Sequence, residues 1–180
     1  MEANILKTFL ITYNSSIKTY IYNYSSPIGN LEIELTEKAI KTVKFATDIK
    51  YSKNIKCASH PFILEECIRQ LDMYFAGKLK CFSLNLDING TTFQEKVWEA
   101  LLQIPFGSTS TYAEIARNIN IDKAHRAVGL ANNKNQFHII VPCHRVISSS
   151  GRLSGYAAGT TKKQWLINHE QNIINNNDRF

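Results

Sequence analysis

Thr111-Tyr-Ala-Glu-Ile-Ala-Arg-Asn118, followed by Ile119-Asn-Ile-Asp-Lys-Ala-His-Arg-Ala-Val-Gly-Leu-Ala-Asn132, is the stretch from which the architecture can be read. Thr111 is a side-chain cap for a short helix, Tyr112 to Asn118, because its hydroxyl can accept a backbone N–H of the first turn. A brief polar turn leads to a second helix, roughly Lys123 to Asn132. Two short helices joined by a tight turn make a helix-turn-helix, here with basic residues on the second helix. Most helix pairs bind no nucleic acid, so the surrounding charge has to be considered.

From Ser108 to Lys163 there are eight basic residues: Arg117, Lys123, Arg126, Lys134, Arg145, Arg152, Lys162 and Lys163. Only two acids, Glu114 and Asp122, lie in that window. The local excess of six equals the net charge of +6 of the whole chain, so the remainder is balanced. A concentrated positive charge suits a polyanion, because each phosphate neutralised releases condensed counterions. A solvated basic face is the other reading of the charge alone.

Upstream, Thr91-Thr-Phe-Gln94 opens a helix carrying Phe93, Val97 and Leu101 at i, i+4, i+8 up to about Gln103, and Ile104-Pro-Phe-Gly107 stops it. The first half has strand character instead. Thr19-Tyr-Ile-Tyr-Asn-Tyr-Ser25 is extended, Ser26-Pro-Ile-Gly-Asn30 is a turn, and Leu31-Glu-Ile-Glu-Leu35 alternates apolar and acidic residues. Ala39 to Ala46 adds a third strand. Pro61 opens a helix at its first position, with Phe62, Leu64, Ile68, Leu71 and Phe75 as an apolar stripe ending at Gly77. A turn at Asp87-Ile-Asn-Gly90 divides the chain, giving expected domains of 1–88 and 89–180. The class is mixed α/β (α+β).

With 44% hydrophobic and 20% charged residues the chain reads as soluble. It has no run near the roughly 18 apolar residues of a membrane helix, and Met1 to Ser16 lacks the features of a secretion signal. The chain is therefore read as intracellular. The cysteines Cys57, Cys67, Cys81 and Cys143 are read as free thiols. Cys57 and His60 hint at zinc, but the spacing to Cys67 and Cys81 matches no standard ligand set, so no metal is expected.

Chemistry concentrates downstream of the helix pair. Phe137-His-Ile-Ile-Val141 reads as a short apolar strand, and Pro142-Cys-His-Arg-Val146 follows it. Pro142 breaks the strand, His144 offers a base beside a thiol, and Arg145 adds positive potential favouring a thiolate. Adjacent residues of a regular strand face opposite ways. Cys143 and His144 can therefore cooperate only if the backbone turns there or a water bridges them, with a third group orienting the imidazole. His138 reads as structural.

The Pro142–Val146 run resembles the signature of the O6-methylguanine-DNA methyltransferases. Phe93-Gln-Glu-Lys-Val-Trp98, Ile104–Gly107, Thr111–Ala116, Arg126-Ala-Val-Gly129 and Ser154-Gly-Tyr-Ala157 are similar to that family's segments, in its order. The likeness is continuous from about Gly90 to Glu170 and looser before it. It implies a ribonuclease-H-like N-terminal part and a winged-helix-like, helix-turn-helix C-terminal part. The implied substrate is O6-alkylguanine, with O4-methylthymine as a second candidate, in double-stranded DNA bound through the minor groove. A base flipped from the stack would lose its alkyl group to the protein, once, with no cofactor and as a monomer.

The resemblance also implies roles by position. Cys143 is the acceptor, His144 its base through a water, and Glu170 the carboxylate that orients His144. Tyr112 contacts the flipped nucleotide and protonates the departing guanine. Arg126 fills the gap in the stack, and Arg145 joins Arg126 and Tyr112 at the DNA. Asn135 braces the turn into the active-site strand, Tyr156 lines the pocket, and Val146 and Ala157 read the guanine. Two positions depart from many relatives: Gln136 stands where proline follows the asparagine, which would loosen the turn, and Ala157 lacks a hydroxyl found in some members.

Two other functions compete. Alkyltransferase-like proteins bind alkylated DNA but carry tryptophan at the acceptor position, so Cys143 argues against a pure binding module. A Cys-His hydrolase would need an oxyanion hole and would turn over.

Overall fold

The computed structural model describes residues 9–14, 17–46, 61–153 and 155–177. The chain divides into two compact units, Met1–Asp87 and Ile88–Phe180.

The first unit is a four-stranded antiparallel meander of β1 (Phe9–Asn14), β2 (Ile17–Ser26), β3 (Gly29–Leu35) and β4 (Ile40–Phe45), in that order. The period-two pattern fixes its faces: Tyr22 sits opposite Ile33 and Ile33 opposite Val43, and all three are buried. β1, which the sequence reading did not anticipate, extends the sheet beside β2. Helix α1 (Phe62–Phe75) covers the buried face, with Tyr24 stacked on Phe75 and its hydroxyl donating to Asp72 at 2.8 Å.

The core stripe of α1 is rotated from the one expected. Leu64, Cys67, Leu71 and Tyr74 are buried, whereas Phe62 is 80% exposed. Pro61 is the extended cap residue just outside the helix, where its fixed φ of −58° costs nothing. Cys57 and His60 lie outside the described residues; Cys67 is buried and Cys81 is exposed.

The second unit contains α2 (Thr92–Leu102), α3 (Tyr112–Asn118), α4 (His125–Asn133) and α5 (Thr160–Asn177). A short parallel pair, β5 (Ser110–Thr111) and β6 (Val146–Ile147), joins the start of α3 to the segment after Cys143. α2 and α3 each begin with a reciprocal capping box, Thr91 with Gln94 and Thr111 with Glu114. Such caps stabilise a helix by about 0.5–2 kcal/mol relative to alanine, and here they fix where each helix starts. Trp98 ties α2 to α4 by donating its indole N–H to the Ala131 carbonyl at 2.9 Å. Val128 and Ile115, fully buried, lie on the inner faces of α4 and α3. No helix among the described residues is long and apolar enough to cross a membrane.

Candidate active site

Phe137–Val141 is not a strand. Its backbone turns, with the Val141 N–H bonded to the Phe137 carbonyl at 2.9 Å and Ile139 at φ +74°. That conformation is costly for a β-branched residue and persists only where the surroundings impose it. Asn135 is what imposes it. Its Oδ1 accepts the Phe137 N–H at 2.9 Å, and its Nδ2 donates to the Val141 carbonyl at 2.9 Å. The side chain thus closes the turn across Gln136, the position where many relatives were expected to carry proline. Asn135→Ala would leave Val141 O and Phe137 N buried without those partners, at about 1–3 kcal/mol for each group. Chemical denaturation should show the midpoint fall accordingly.

The same Nδ2 lies 2.9 Å from Cys143 Sγ. Cys143, His144 and Arg145 form a single 3-10 turn, which removes the up-down alternation that would have separated the thiol from the imidazole. All three are buried.

Helix α5 supplies the other wall. Lys163, Leu166, Ile167 and Glu170, at i, i+3, i+4 and i+7, are the buried face of its central turns. Glu170 Oε1 accepts from His144 Nε2 at 2.8 Å. Arg145 donates to both carboxylate oxygens, Nε to Oε2 at 2.9 Å and Nη2 to Oε1 at 3.0 Å. The Gly107 N–H adds a bond to Oε2 at 3.0 Å, and Arg145 Nη1 reaches the Ile104 carbonyl at 2.7 Å. The Ile104–Gly107 turn is therefore sealed onto this network. Gly107 has φ +78°, and a Cβ there would stand 2.8 Å from Ile174, so the turn requires glycine.

Electrostatics follow from this arrangement. Burial alone would raise Glu170, but the hydrogen bonds and charges of His144 and Arg145 hold its carboxyl down at about 2. An ionised carboxylate can only accept, so His144 carries its proton on Nε2 and Nδ1 is the basic nitrogen. Burial lowers the His144 pKa against the pull of Glu170, keeping a neutral imidazole. Burial pushes the Cys143 thiol up to about 11, opposed by the Asn135 hydrogen bond and by Lys163. The thiol is thus a protonated group that needs a base.

Three buried side-chain atoms have no hydrogen-bond partner among the described residues: His144 Nδ1, Tyr156 OH and Asn132 Oδ1. All three belong to this site. Tyr156 feels the charge of Cys143, and Asn132 Nδ2 donates to the Cys143 carbonyl at 3.4 Å. Orphaned buried polar atoms are rare, and a cluster of them suits a polar ligand.

Of the remaining residues singled out in the sequence, Tyr112 stands at the start of α3 with its hydroxyl against Gly155, where a Cβ would lie 3.0 Å from it. Arg126 is exposed on the first turn of α4. The Val146 N–H is already bonded to the Cys143 carbonyl, and Ala157 is exposed. His138 is buried with its ring 5.6 Å from Tyr156, a packing role.

Arg145 is a correction. It is 6% exposed and its guanidinium is bound to Glu170 and Ile104, so it is not presented to DNA. Lys163 is fully buried and also leaves the basic surface. Arg117, Lys123, Arg126, Lys134 and Arg152 are exposed and Lys162 is half-buried, so six of the eight cations remain accessible. Asn132 and Lys163 were not recognised as site residues from the sequence; the α5 spacing from Glu170 back to Lys163 was the available signal.

Two family models cover nearly all of the described chain. The 6-O-methylguanine DNA methyltransferase DNA binding domain matches residues 92–172, and the ribonuclease-like domain of the same family matches 19–88. The methylated-DNA–protein-cysteine methyltransferase of Methanosarcina acetivorans is 46% identical over 155 residues, 84% of this chain and 97% of the relative. The Mycobacterium tuberculosis O6-methylguanine methyltransferase superposes with a TM-score of 0.73 at 39% identity, over 83% of this chain and 91% of that one. The Mycobacterium tuberculosis OGT in complex with DNA gives 0.74 at 40% identity, over 84% and 92%.

Proposed function

The chain belongs to the 6-O-methylguanine DNA methyltransferase family, and on that ground we propose that Cys143 is its alkyl acceptor, with His144, Glu170 and Tyr112 serving the transfer. Its activity is DNA repair by direct reversal of damage: an alkyl group passes from methylated DNA to a cysteine of the protein itself. The observation that supports Cys143 is its geometry. Its buried thiol is held by Asn135, and it adjoins a histidine whose Nε2 is fixed by Glu170 while Nδ1 has no partner among the described residues.

The steps follow from those groups. His144 Nδ1 takes the thiol proton through solvent, and Glu170 stabilises the imidazolium and holds the ring. Sγ attacks the alkyl carbon, the bond from that carbon to O6 breaks, and the departing guanine takes a proton from the Tyr112 hydroxyl. The product is a thioether, which has no ready hydrolytic exit, so each chain acts once. Asn135 keeps Sγ in place, and Tyr156 and Asn132 offer unpaired atoms to the base.

An alkyl group on O6 lies at a stacked base-pair edge where in-line attack is blocked, so the nucleotide must leave the helix. We assign that work to the α3–α4 pair, read here as a helix-turn-helix that enters the minor groove, with exposed Arg126 occupying the gap. The chain acts as a monomer, in the cytoplasm or wherever DNA is accessible. Arg126→Ala should slow transfer from duplex DNA by about tenfold or more, since unstacking costs a few kcal/mol. Transfer from the free base O6-benzylguanine should stay near wild type. Single-turnover kinetics on both substrates tests this, and equal losses would make Arg126 structural.

A further inference from the structure

Asn132 is 2% exposed, and its amide has one end engaged and the other idle. It lies in the last turn of α4, the helix whose first turn carries exposed Arg126. Its Nδ2 donates to the Cys143 carbonyl at 3.4 Å. That contact fixes the orientation of the amide, because the reversed one would set two acceptor oxygens against each other. Oδ1 is the atom left over, buried and without a hydrogen-bond partner.

The three orphaned atoms of the site ask for different things. His144 Nδ1 receives a proton in the transfer steps above. The Tyr156 hydroxyl, held protonated by burial, can donate or accept. An amide oxygen can only accept, so Asn132 Oδ1 demands a donor. The neighbouring Cys143 carbonyl does not compete for one, because its two lone pairs are met by the Val146 N–H and by Asn132 Nδ2. Alkylation on O6 takes the hydrogen from N1 of guanine. The base of such a nucleotide then has one donor group left, its exocyclic 2-amino group.

We propose that Asn132 selects the substrate by its 2-amino group: Oδ1 accepts an N–H from the alkylated guanine while Nδ2 holds the Cys143 carbonyl. The inference rests on Cys143 being the acceptor and on this site receiving the base. One amide then ties the base to the backbone of the nucleophile. It favours 2-amino-6-alkoxypurines over 6-alkoxypurines that lack the amine. Without the amine, Oδ1 stays buried and unpaired, and a site built to hydrogen-bond a substrate rejects the analogue missing that group.

The experiment crosses the residue with the group. Single-turnover transfer is measured for wild type, Asn132→Leu and Asn132→Met, from O6-benzylguanine and from 6-benzyloxypurine. The two bases differ only in the 2-amino group, and neither has to leave a helix. Wild type should favour O6-benzylguanine by about tenfold or more. Both variants should lose most of that preference, because an apolar side chain leaves no acceptor unpaired when the amine is missing. The preference is the readout, since a purely structural role would slow both bases by the same factor. The wild-type comparison needs no substitution, and indifference to the amine overturns the inference. So does a variant that keeps the wild-type preference. Equal losses on both bases, complete loss included, overturn it too, because Asn132 would then act on Cys143 through its carbonyl alone. If wild type transfers nothing to Cys143 from either base or from duplex containing O6-methylguanine, the acceptor assignment fails, and the role of Asn132 with it.

Discussion

Cys143→Ala should abolish alkyl transfer and leave binding to a duplex containing O6-methylguanine in place. Among the described residues of this site the thiol, once ionised, is the strongest nucleophile: His144 and Glu170 are committed to each other, and the Tyr156 hydroxyl is held protonated by burial and by the neighbouring Cys143. We assign duplex binding to the exposed cations, Arg126 among them. Cys143→Ser is the sharper control. A serine oxygen can keep the hydrogen bond from Asn135, so geometry survives while nucleophilicity does not. Measured transfer by either variant above the background of the uncatalysed reaction would move the chemistry elsewhere.

Glu170→Gln should be nearly as damaging, for two separable reasons. The carboxylate receives hydrogen bonds from His144, Arg145 and Gly107. The substitution leaves the Arg145 guanidinium buried without its anion, and breaking a buried ion pair costs about 3–5 kcal/mol. At about 2–4 °C per kcal/mol for a chain of this length, the melting temperature falls by roughly 10 °C. The second loss is kinetic. With one amide oxygen, glutamine cannot accept from both His144 and Arg145, and it carries no charge to stabilise the imidazolium; a base so weakened forfeits about 10²–10⁴ in rate.

The pH dependence separates the two effects. The folded Glu170 pKa is depressed to about 2, so its stabilisation is present above the ordinary carboxyl value near 4.3 and is lost as pH falls toward 2. Glu170→Gln should lack that acid-dependent component in a denaturation series. On the kinetic side, His144→Ala should regain part of its rate as pH rises, because hydroxide then ionises a thiol whose pKa burial has pushed up to about 11. If wild type, Glu170→Gln and His144→Ala gave superimposable pH–rate profiles, the relay would be wrong.

The local signals in the chain translated well. Thr91 and Thr111 announce their helices because a capping hydroxyl acts within one turn, and both caps are formed. Leu31–Leu35 alternates because one face of its sheet is buried, and that face carries Leu31, Ile33 and Leu35. What local pattern could not show is direction. Arg145 and Lys163 add to a basic total whichever way they point, and only the packing of α5 on the 3-10 turn shows both to be internal. The Phe137–Val141 run has the composition of a strand, but the Asn135 side chain captures its backbone groups and bends it, leaving Ile139 at positive φ. The stripe on α1 slipped because Cys67 and Tyr74 fill core positions that Ile68 and Phe75 also fit by hydropathy. At the site itself, His144 meets Glu170 beside Cys143, a grouping that the family resemblance implied and no local pattern shows, while the thiol's bond to Asn135 links 135 with 143 through a turn no periodicity describes.

The measurement that bears most directly on Cys143 as acceptor is the mass of the intact protein after incubation with excess duplex containing O6-methylguanine, followed by peptide mapping. One added methyl per chain, carried by the peptide containing Cys143, with the reaction stopping at one equivalent, is the predicted result. A methyl on Cys67, Cys81 or any other residue, or loss of more than one equivalent of methyl from the DNA per chain, would contradict it.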